Sequence, residues 1–289
     1  MAGEAGGARA AVIAVDWGTS SLRVYRLDSS GRILQSKTSD RGILNVAPGE
    51  FPRVLDEQTT GWNERPVVMS GMVGSRQGWR EAPYVPCPAG FDAIAAKLVE
   101  VRPGAWIVPG VSCRDPAGVP DVMRGEETQI LGCGAEGLIC LPGTHSKWAE
   151  VRNGRIERFS TFMTGEAYAV LKQHSILGRM MEEGKADPSA FAQGVKRSGD
   201  EGGVLHHLFG VRTRGLMGEL AAGAAASYLS GILIGHELRA QGAGEFSVLG
   251  TAELAVLYQR AAALLGMKAR LLDPEAGVRA LARLGAMLA

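Results

Sequence analysis

Ala14-Val15-Asp16-Trp17-Gly18-Thr19-Ser20-Ser21 decides the fold, because a later stretch repeats its plan. An apolar strand over 11–15 runs into a Gly-Thr turn, a hairpin strand over 22–27, a turn at Asp28-Ser29-Ser30-Gly31, and then Gly31-Arg32-Ile33. Much later, Cys140-Leu141-Pro142-Gly143-Thr144-His145-Ser146 runs into a strand over 147–151, a turn at Arg152-Asn153, and Gly154-Arg155-Ile156. The two Gly-Thr turns, at Gly18 and Gly143, are 125 residues apart, close to half of the 289-residue chain. A shared tripeptide alone is chance. An ordered match over a whole hairpin indicates a duplicated domain whose two turns are expected to face one another across a cleft.

A Gly-Thr-x-Ser turn suits phosphate. Glycine lets the backbone approach closely, turn N–H groups form a concave nest, and hydroxyls add donors. Gly18, Thr19 and Ser20 in the first copy, and Gly143, Thr144, His145 and Ser146 in the second, are the candidate phosphate-binding residues. Asp16 precedes only the first turn. It is the candidate magnesium ligand, since magnesium prefers one or two carboxylates together with substrate phosphates. Before the second turn stands Pro142 instead. Arg23 and Lys147 lie on the two hairpins, either assisting the phosphates or serving as plain exposed strand charges. The chain has neither GxxxxGK[ST] nor a strand-turn-helix GxGxxG, so neither the usual P-loop nor a Rossmann cofactor site is supported.

Composition narrows the class. Lys plus Arg is 31 against 30 Asp plus Glu, a balance that argues against a nucleic-acid surface. No apolar run approaches the roughly 20 residues of a membrane span. Gly numbers 40, about twice its usual share of roughly 7%, which implies tight turns and close backbone approaches. The four cysteines show no CxxC pair and no metal spacing. The first ten residues lack the apolar segment of a secretory signal, so a reduced, cytoplasmic protein is expected.

Strands are expected at 32–36, 66–70, 105–108 and 138–141, and helices at 50–60, 91–101, 125–136, 215–239 and 252–265. Residues 109–124, with three prolines, read as an irregular connection. Strands and helices interleave, so the class is α/β. The expected plan is a flexible tail over 1–10, one domain over 11–133 and a second over 134–289, with Gly132 and Gly134 as joints for domain closure. His206 and His207 read as surface residues and His236 as a helix position.

Family resemblance enters through the motifs. AVDWGTSSLRVYRLD resembles the first phosphate motif of the sugar kinase, heat-shock ATPase and actin superfamily, and LPGTHSKW resembles its second. Within it the chain resembles the 2-dehydro-3-deoxygalactonokinase family, through VDWGTSSLR, SGMVGSRQGW, PCPAG, MRGEETQILG, LPGTHSKW and FMTGE in that order, densely over residues 11–170. LSGILIGHEL and VLGTAELAVLYQRA extend it more loosely. The resemblance implies two ribonuclease-H-like domains, the actin-like ATPase fold, facing across a nucleotide cleft. It also implies ATP, magnesium, and transfer of the γ-phosphoryl to the 6-hydroxyl of 2-dehydro-3-deoxy-D-galactonate.

That resemblance assigns further residues. Related sugar kinases commonly carry an Asp as base before a helix of small residues; here a Glu stands at the matching place, a departure that leaves Glu126 and Glu127 both open for the part. The helix dipole favours the ionised form there; a capping acid pair is the plainer reading. Gly250 opens the segment where relatives hold adenosine. Ser75, Arg76, Gln77 and Trp79, in the stretch after the 66–70 strand, are the candidates for the sugar acid, with an arginine to clamp its carboxylate and Trp79 as an apolar wall; the alternative is a solvent loop whose Trp covers the core. A small-molecule kinase is the favoured function. A phosphohydrolase on the same fold, a kinase for another sugar or sugar acid, and a nucleotide-gated binding module are the other classes. No nucleic-acid or membrane partner is expected, and a homo-oligomer is left open.

Overall fold

The computed structural model describes residues 10–288. The tail expected over 1–10 lies outside the described residues, save for Ala10, which opens the first strand.

The chain opens with β1 (Ala10–Trp17), β2 (Leu22–Asp28) and β3 (Ile33–Ser39). α1 (Phe51–Gln58) leads to β4 (Val67–Ser70), and β5 (Tyr84–Pro86) and α2 (Phe91–Ala95) follow. Next come β6 (Val99–Arg102), β7 (Ala105–Ile107), β8 (Gly110–Arg114), β9 (Pro120–Met123) and α3 (Glu126–Cys133). The later part holds β10 (Gly137–Leu141), β11 (Ser146–Arg152), β12 (Arg155–Phe162), α4 (Thr164–His174), α5 (Pro188–Arg197), α6 (Gly203–Leu216) and α7 (Ala225–Gln241). It ends with β13 (Glu245–Val248), α8 (Ala252–Leu264), β14 (Lys268–Leu271) and α9 (Ala276–Ala286).

The sequence echo is an echo of topology. One sheet runs β3-β2-β1-β4-β7-β6 and another β12-β11-β10-β13-β14. In both, the strand before the Gly-Thr turn is third, and a parallel strand lies on its far side. This is the ribonuclease-H-like strand order, present twice. β5, β8 and β9 form a third, small sheet.

The compact units are not contiguous in sequence. One comprises Met1–Glu136, Ala149–Phe159 and Asp273–Ala289, the other Gly137–Trp148 and Ser160–Leu272. The expected 133/134 boundary therefore falls close to one of several crossings. The hairpin tip joins the first unit because Ala89 and Ile156 exchange backbone bonds of 3.0 and 2.8 Å. α9 joins it through glycines: a Cβ on Gly132 would lie 1.9 Å from the Ala276 carbonyl oxygen, and one on Gly285 would lie 2.9 Å from Val12. Backbone thus touches backbone where α3 meets α9.

Each unit has its own core. In the first, Val15, Trp17, Leu22, Val24, Phe51, Leu55 and Met69 cluster with almost no exposure. Full burial of each such side chain stabilises by about 1.5–3 kcal/mol. In the second, Trp148, Phe191, Ile234, Leu238, Phe246 and Tyr258 do the same.

Three expected elements differ. The helix expected over 91–101 ends at Ala95, and Val99–Arg102 becomes β6, paired antiparallel with β7. Residues 109–124 form the β8–β9 hairpin, with Pro120 at a strand start, where its missing N–H is tolerated. The run over 215–239 is broken, because Gly218 takes φ 74°, outside helical space, and α7 starts afresh at Ala225. His207 is buried rather than at the surface; its Nδ1 lies 2.9 Å from His236 Nε2. No disulfide joins any of the four cysteines. Among the described residues no helix is long and apolar enough to cross a membrane.

Candidate active site

In the first unit the site is built at the carboxyl ends of β1 and β4, which run parallel with Asp16 opposite Ser70. Beyond Asp16 the chain turns tightly, with Gly18 N–H donating to Ser21 C=O at 2.9 Å. The turn is held from behind: the amides of Ile43 and Leu44 donate to the carbonyls of Gly18 and Thr19 at 3.0 and 3.2 Å. A Cβ on Gly42 would come within 2.3 Å of Ser20. Thr19 and Ser20 consequently face solvent on a rigid support.

Asp16 sits in a recess. Its side chain keeps 42% exposure and pairs with Arg23 Nη1 at 3.3 Å across the hairpin. Burial raises its carboxyl pKa, and the Arg23 charge opposes that shift. Two glycines make the recess. Gly71, at φ 96°, leaves open a position 3.6 Å from Asp16 Oδ1 that a Cβ would fill. Gly125, at φ 112°, packs against it, a Cβ there falling 3.3 Å from Gly71 Cα. This contact brings the start of α3, and with it the two glutamates, beside the end of β4.

The glutamates have different surroundings. Glu127 is fully buried; its Oε2 accepts from Gly125 N–H at 2.6 Å. Burial first, and the neighbouring Glu126 charge second, push it up to about 8, so it is mostly protonated at neutral pH. Glu126 is half-exposed and accepts from the Arg124 amide at 3.0 Å. Of the two, Glu126 is the one with solvent-accessible surface.

The buried acid has a consequence for stability. Its folded pKa lies above the ordinary value, so the folded state holds the proton more tightly than the unfolded chain. That contribution is fully present below about 4.5 and lost as pH rises to about 8. In Glu127→Gln, the amide oxygen still accepts from Gly125 and nothing titrates. Thermal melts between about pH 5 and pH 9 should therefore fall less steeply in the variant than in the wild type. Parallel melting profiles would refute this role of Glu127.

The four expected sugar-acid residues do not converge. Trp79 packs half-buried against the first unit's core, with the Arg102 guanidinium 5.8 Å from its ring centre. Arg76 is exposed and paired with Glu81 at 3.1 Å, and Gln77 is exposed. Ser75 Oγ is buried, with no hydrogen-bond partner among the described residues. Unforeseen is Arg124, two residues before Glu126. Its Nη2 donates to Ala82 C=O at 2.7 Å, and its guanidinium lies 4.4 Å from the Tyr84 ring centre. Its Nε and Nη1 are buried and have no hydrogen-bond partner among the described residues. Only the sequence MRGEE, basic residue before acid pair, pointed there.

The second unit presents the other turn. Thr144 is exposed and Gly143 half-buried, and the start of α4 closes on them from one side. A Cβ on Gly165 would lie 2.2 Å from Gly143 C=O, and Glu166 N–H donates to Thr144 C=O at 2.9 Å. His145 Nε2 pairs with Glu166 Oε2 at 2.5 Å. Gly250 packs on Pro142, close enough that a Cβ on the glycine would lie 3.3 Å from the proline ring. Ser146 and Lys147 point inward: Ser146 Oγ lies 2.9 Å from Tyr258 OH, and Lys147 Nζ donates to Thr161 Oγ1 at 2.8 Å. They support the turn from beneath.

From this turn α4 runs to a cavity of about 500 Å³, lined by Tyr168, Lys172, Asp187, Ser227, Leu257 and Arg260 among others. Glu166 at the turn and Lys172 at the cavity are about 9 Å apart along the helix axis at its ordinary rise.

A family model described as 2-keto-3-deoxy-galactonokinase matches residues 16–284. The chain belongs to the 2-keto-3-deoxy-galactonokinase family. Two relatives of that family are a Rhizobium meliloti (strain 1021) protein and an Escherichia coli (strain K12) protein, both designated 2-dehydro-3-deoxygalactonokinase. The first is 38% identical, covering 92% of this chain and 94% of the relative. The second is 39% identical, covering 78% of each. A Sinorhizobium meliloti crystal structure with the same designation superposes with a TM-score of 0.88 at 34% identity, over 96% of this chain and 98% of the other. A Clostridium difficile activator of 2-hydroxyisocaproyl-CoA dehydratase, solved with ADPNP, shares the fold at TM-score 0.52 and 13% identity, over 95% of this chain and 93% of the other. The twice-repeated ribonuclease-H-like strand order is that of the actin-like ATPase fold.

Proposed function

We propose that this protein transfers the γ-phosphoryl group of ATP to the 6-hydroxyl of 2-dehydro-3-deoxy-D-galactonate. The observation that carries the reading is the family match over residues 16–284, which contains both turns and the acid pair. In the first unit, Glu126 accepts the proton of the 6-hydroxyl as that oxygen attacks the γ-phosphorus. The bond from phosphorus to the bridging oxygen breaks, and ADP leaves with that oxygen. In the second unit, the Gly143-Thr144 turn takes the phosphates and the cavity along α4 takes the nucleoside.

The residues fit magnesium. Among the described residues no group of three His, Cys, Asp or Glu can hold a metal alone. One hard carboxylate, Asp16, stands beside the space that Gly71 leaves, as suits an ion completed by substrate phosphates. When bound, magnesium would neutralise phosphate charge as it develops. Arg124, with its two buried N–H groups left without a partner among the described residues, favours an acceptor that carries a carboxylate. A cytoplasmic location accompanies this reading.

The test is ATP turnover with and without sugar acids. ADP release that depends on 2-dehydro-3-deoxy-D-galactonate supports the kinase. Equal release without it would mean a phosphohydrolase, and transfer to a neutral sugar instead would overturn the acceptor.

A further inference from the structure

We propose that Glu237, a buried acid of α7, is a positioning residue that holds the second Gly-Thr turn and the start of α4 in the spacing that binds the nucleotide's phosphates. The inference rests on the ATP reading above. Glu237 keeps only 2% exposure. Its Oε1 accepts from Trp148 Nε1 at 2.7 Å, and its Oε2 accepts from Tyr258 OH at 2.6 Å. Each carboxylate oxygen therefore has its own donor, an indole N–H on one and a phenol O–H on the other. The hydroxyls of Thr164 and Ser146 are near neighbours that favour the Glu237 anion.

The donors define what the acid organises. Ser146 follows the turn, Thr164 opens α4, Trp148 lies on β11 and Tyr258 on α8. One side chain therefore ties together the elements around the Gly143-Thr144 turn. The tolerance is small, since the Gly165 backbone already touches Gly143 C=O. Burial raises the Glu237 pKa, and the surrounding donors oppose that shift by favouring the anion.

The acid is itself fixed. α7 crosses α5 at glycines, with a Cβ on Gly231 falling 2.1 Å from Phe191 C=O and one on Gly194 falling 2.2 Å from Tyr228 C=O. A helix packed this closely cannot slide to follow a displaced turn. Glu237 is thus a rigid reference, and a change at its head group is felt at the turn.

The experiment is calorimetric titration of the full chain with ADP, alongside steady-state kinetics. Glu237→Gln turns one acceptor into a donor that faces hydroxyl donors. The dissociation constant for ADP should rise roughly tenfold, while KM for the sugar acid changes less than about twofold. A merely structural role would lower the melting temperature and the active fraction but leave the ADP constant of the folded molecules unmoved. Tyr258→Phe removes one donor without adding an amide and should weaken ADP in the same direction, by less. Unchanged ADP affinity in a folded Glu237→Gln protein overturns the proposal. If that variant does not fold, unchanged affinity in Tyr258→Phe overturns it. A wild type that binds no ADP overturns the kinase reading itself, and this inference falls with it.

Discussion

Glu126→Gln should lower kcat by roughly 100- to 10,000-fold, the usual worth of a positioned general base, while leaving ADP affinity nearly intact. The amide is isosteric and can still accept from the Arg124 amide through its oxygen, so the local geometry of the α3 start survives. What it loses is the ability to take the proton of the attacking hydroxyl. The opposite pattern would follow if Glu127 were the base. Its side chain is fully buried and pushed up to about 8, with its oxygen committed to Gly125, so Glu127→Gln should alter kcat far less. Single-turnover measurements on both variants separate chemistry from nucleotide binding. A large loss in Glu127→Gln with near-normal Glu126→Gln would move the role one residue along.

The duplicated hairpins are legible in the sequence because their signals are local. A buried strand reads as an apolar run, and a Gly-Thr turn follows at once in both copies. The return of α9 to the first unit is not legible, because an amphipathic helix does not say which sheet it covers. That choice is made by Gly132 and Gly285, whose missing side chains matter only once their partners are known. Trp79 reads equally as an apolar wall for substrate and as a cover for the core, and the structure turns it to the first unit's core. Ser146 reads as a phosphate donor, and its hydroxyl is turned toward Tyr258, 112 residues away. Glu237 escapes notice for the same reason: a lone acid in LSGILIGHEL looks like a solvent position until Trp148 and Tyr258, distant in sequence, are in place as its donors. In the 70–80 stretch the residue types fit a polyol, but their directions depend on Gly78 packing under Val73.

Asp16→Asn should reduce turnover by about 1,000-fold, the scale seen when a preorganised charge is removed from a reacting centre, and added magnesium should restore little of it. The substitution preserves size and removes one negative charge. Its cost to the fold should be small, because the ion pair with Arg23 is substantially exposed, and exposed pairs contribute about 0–1 kcal/mol. A melting temperature close to the wild type would therefore accompany the lost activity. The charge matters because the first turn supplies a single hard carboxylate, and among the described residues no group of three ligands forms a metal site without substrate oxygens. Magnesium binds amide oxygen far less well than carboxylate. Arg23 would also lose its partner and be free to turn toward substrate phosphates, which makes nucleotide binding survive better than turnover. The measurement is kcat against magnesium concentration for both proteins, with ADP affinity measured separately. A variant that keeps full activity at low magnesium would show that Asp16 is not the metal's carboxylate.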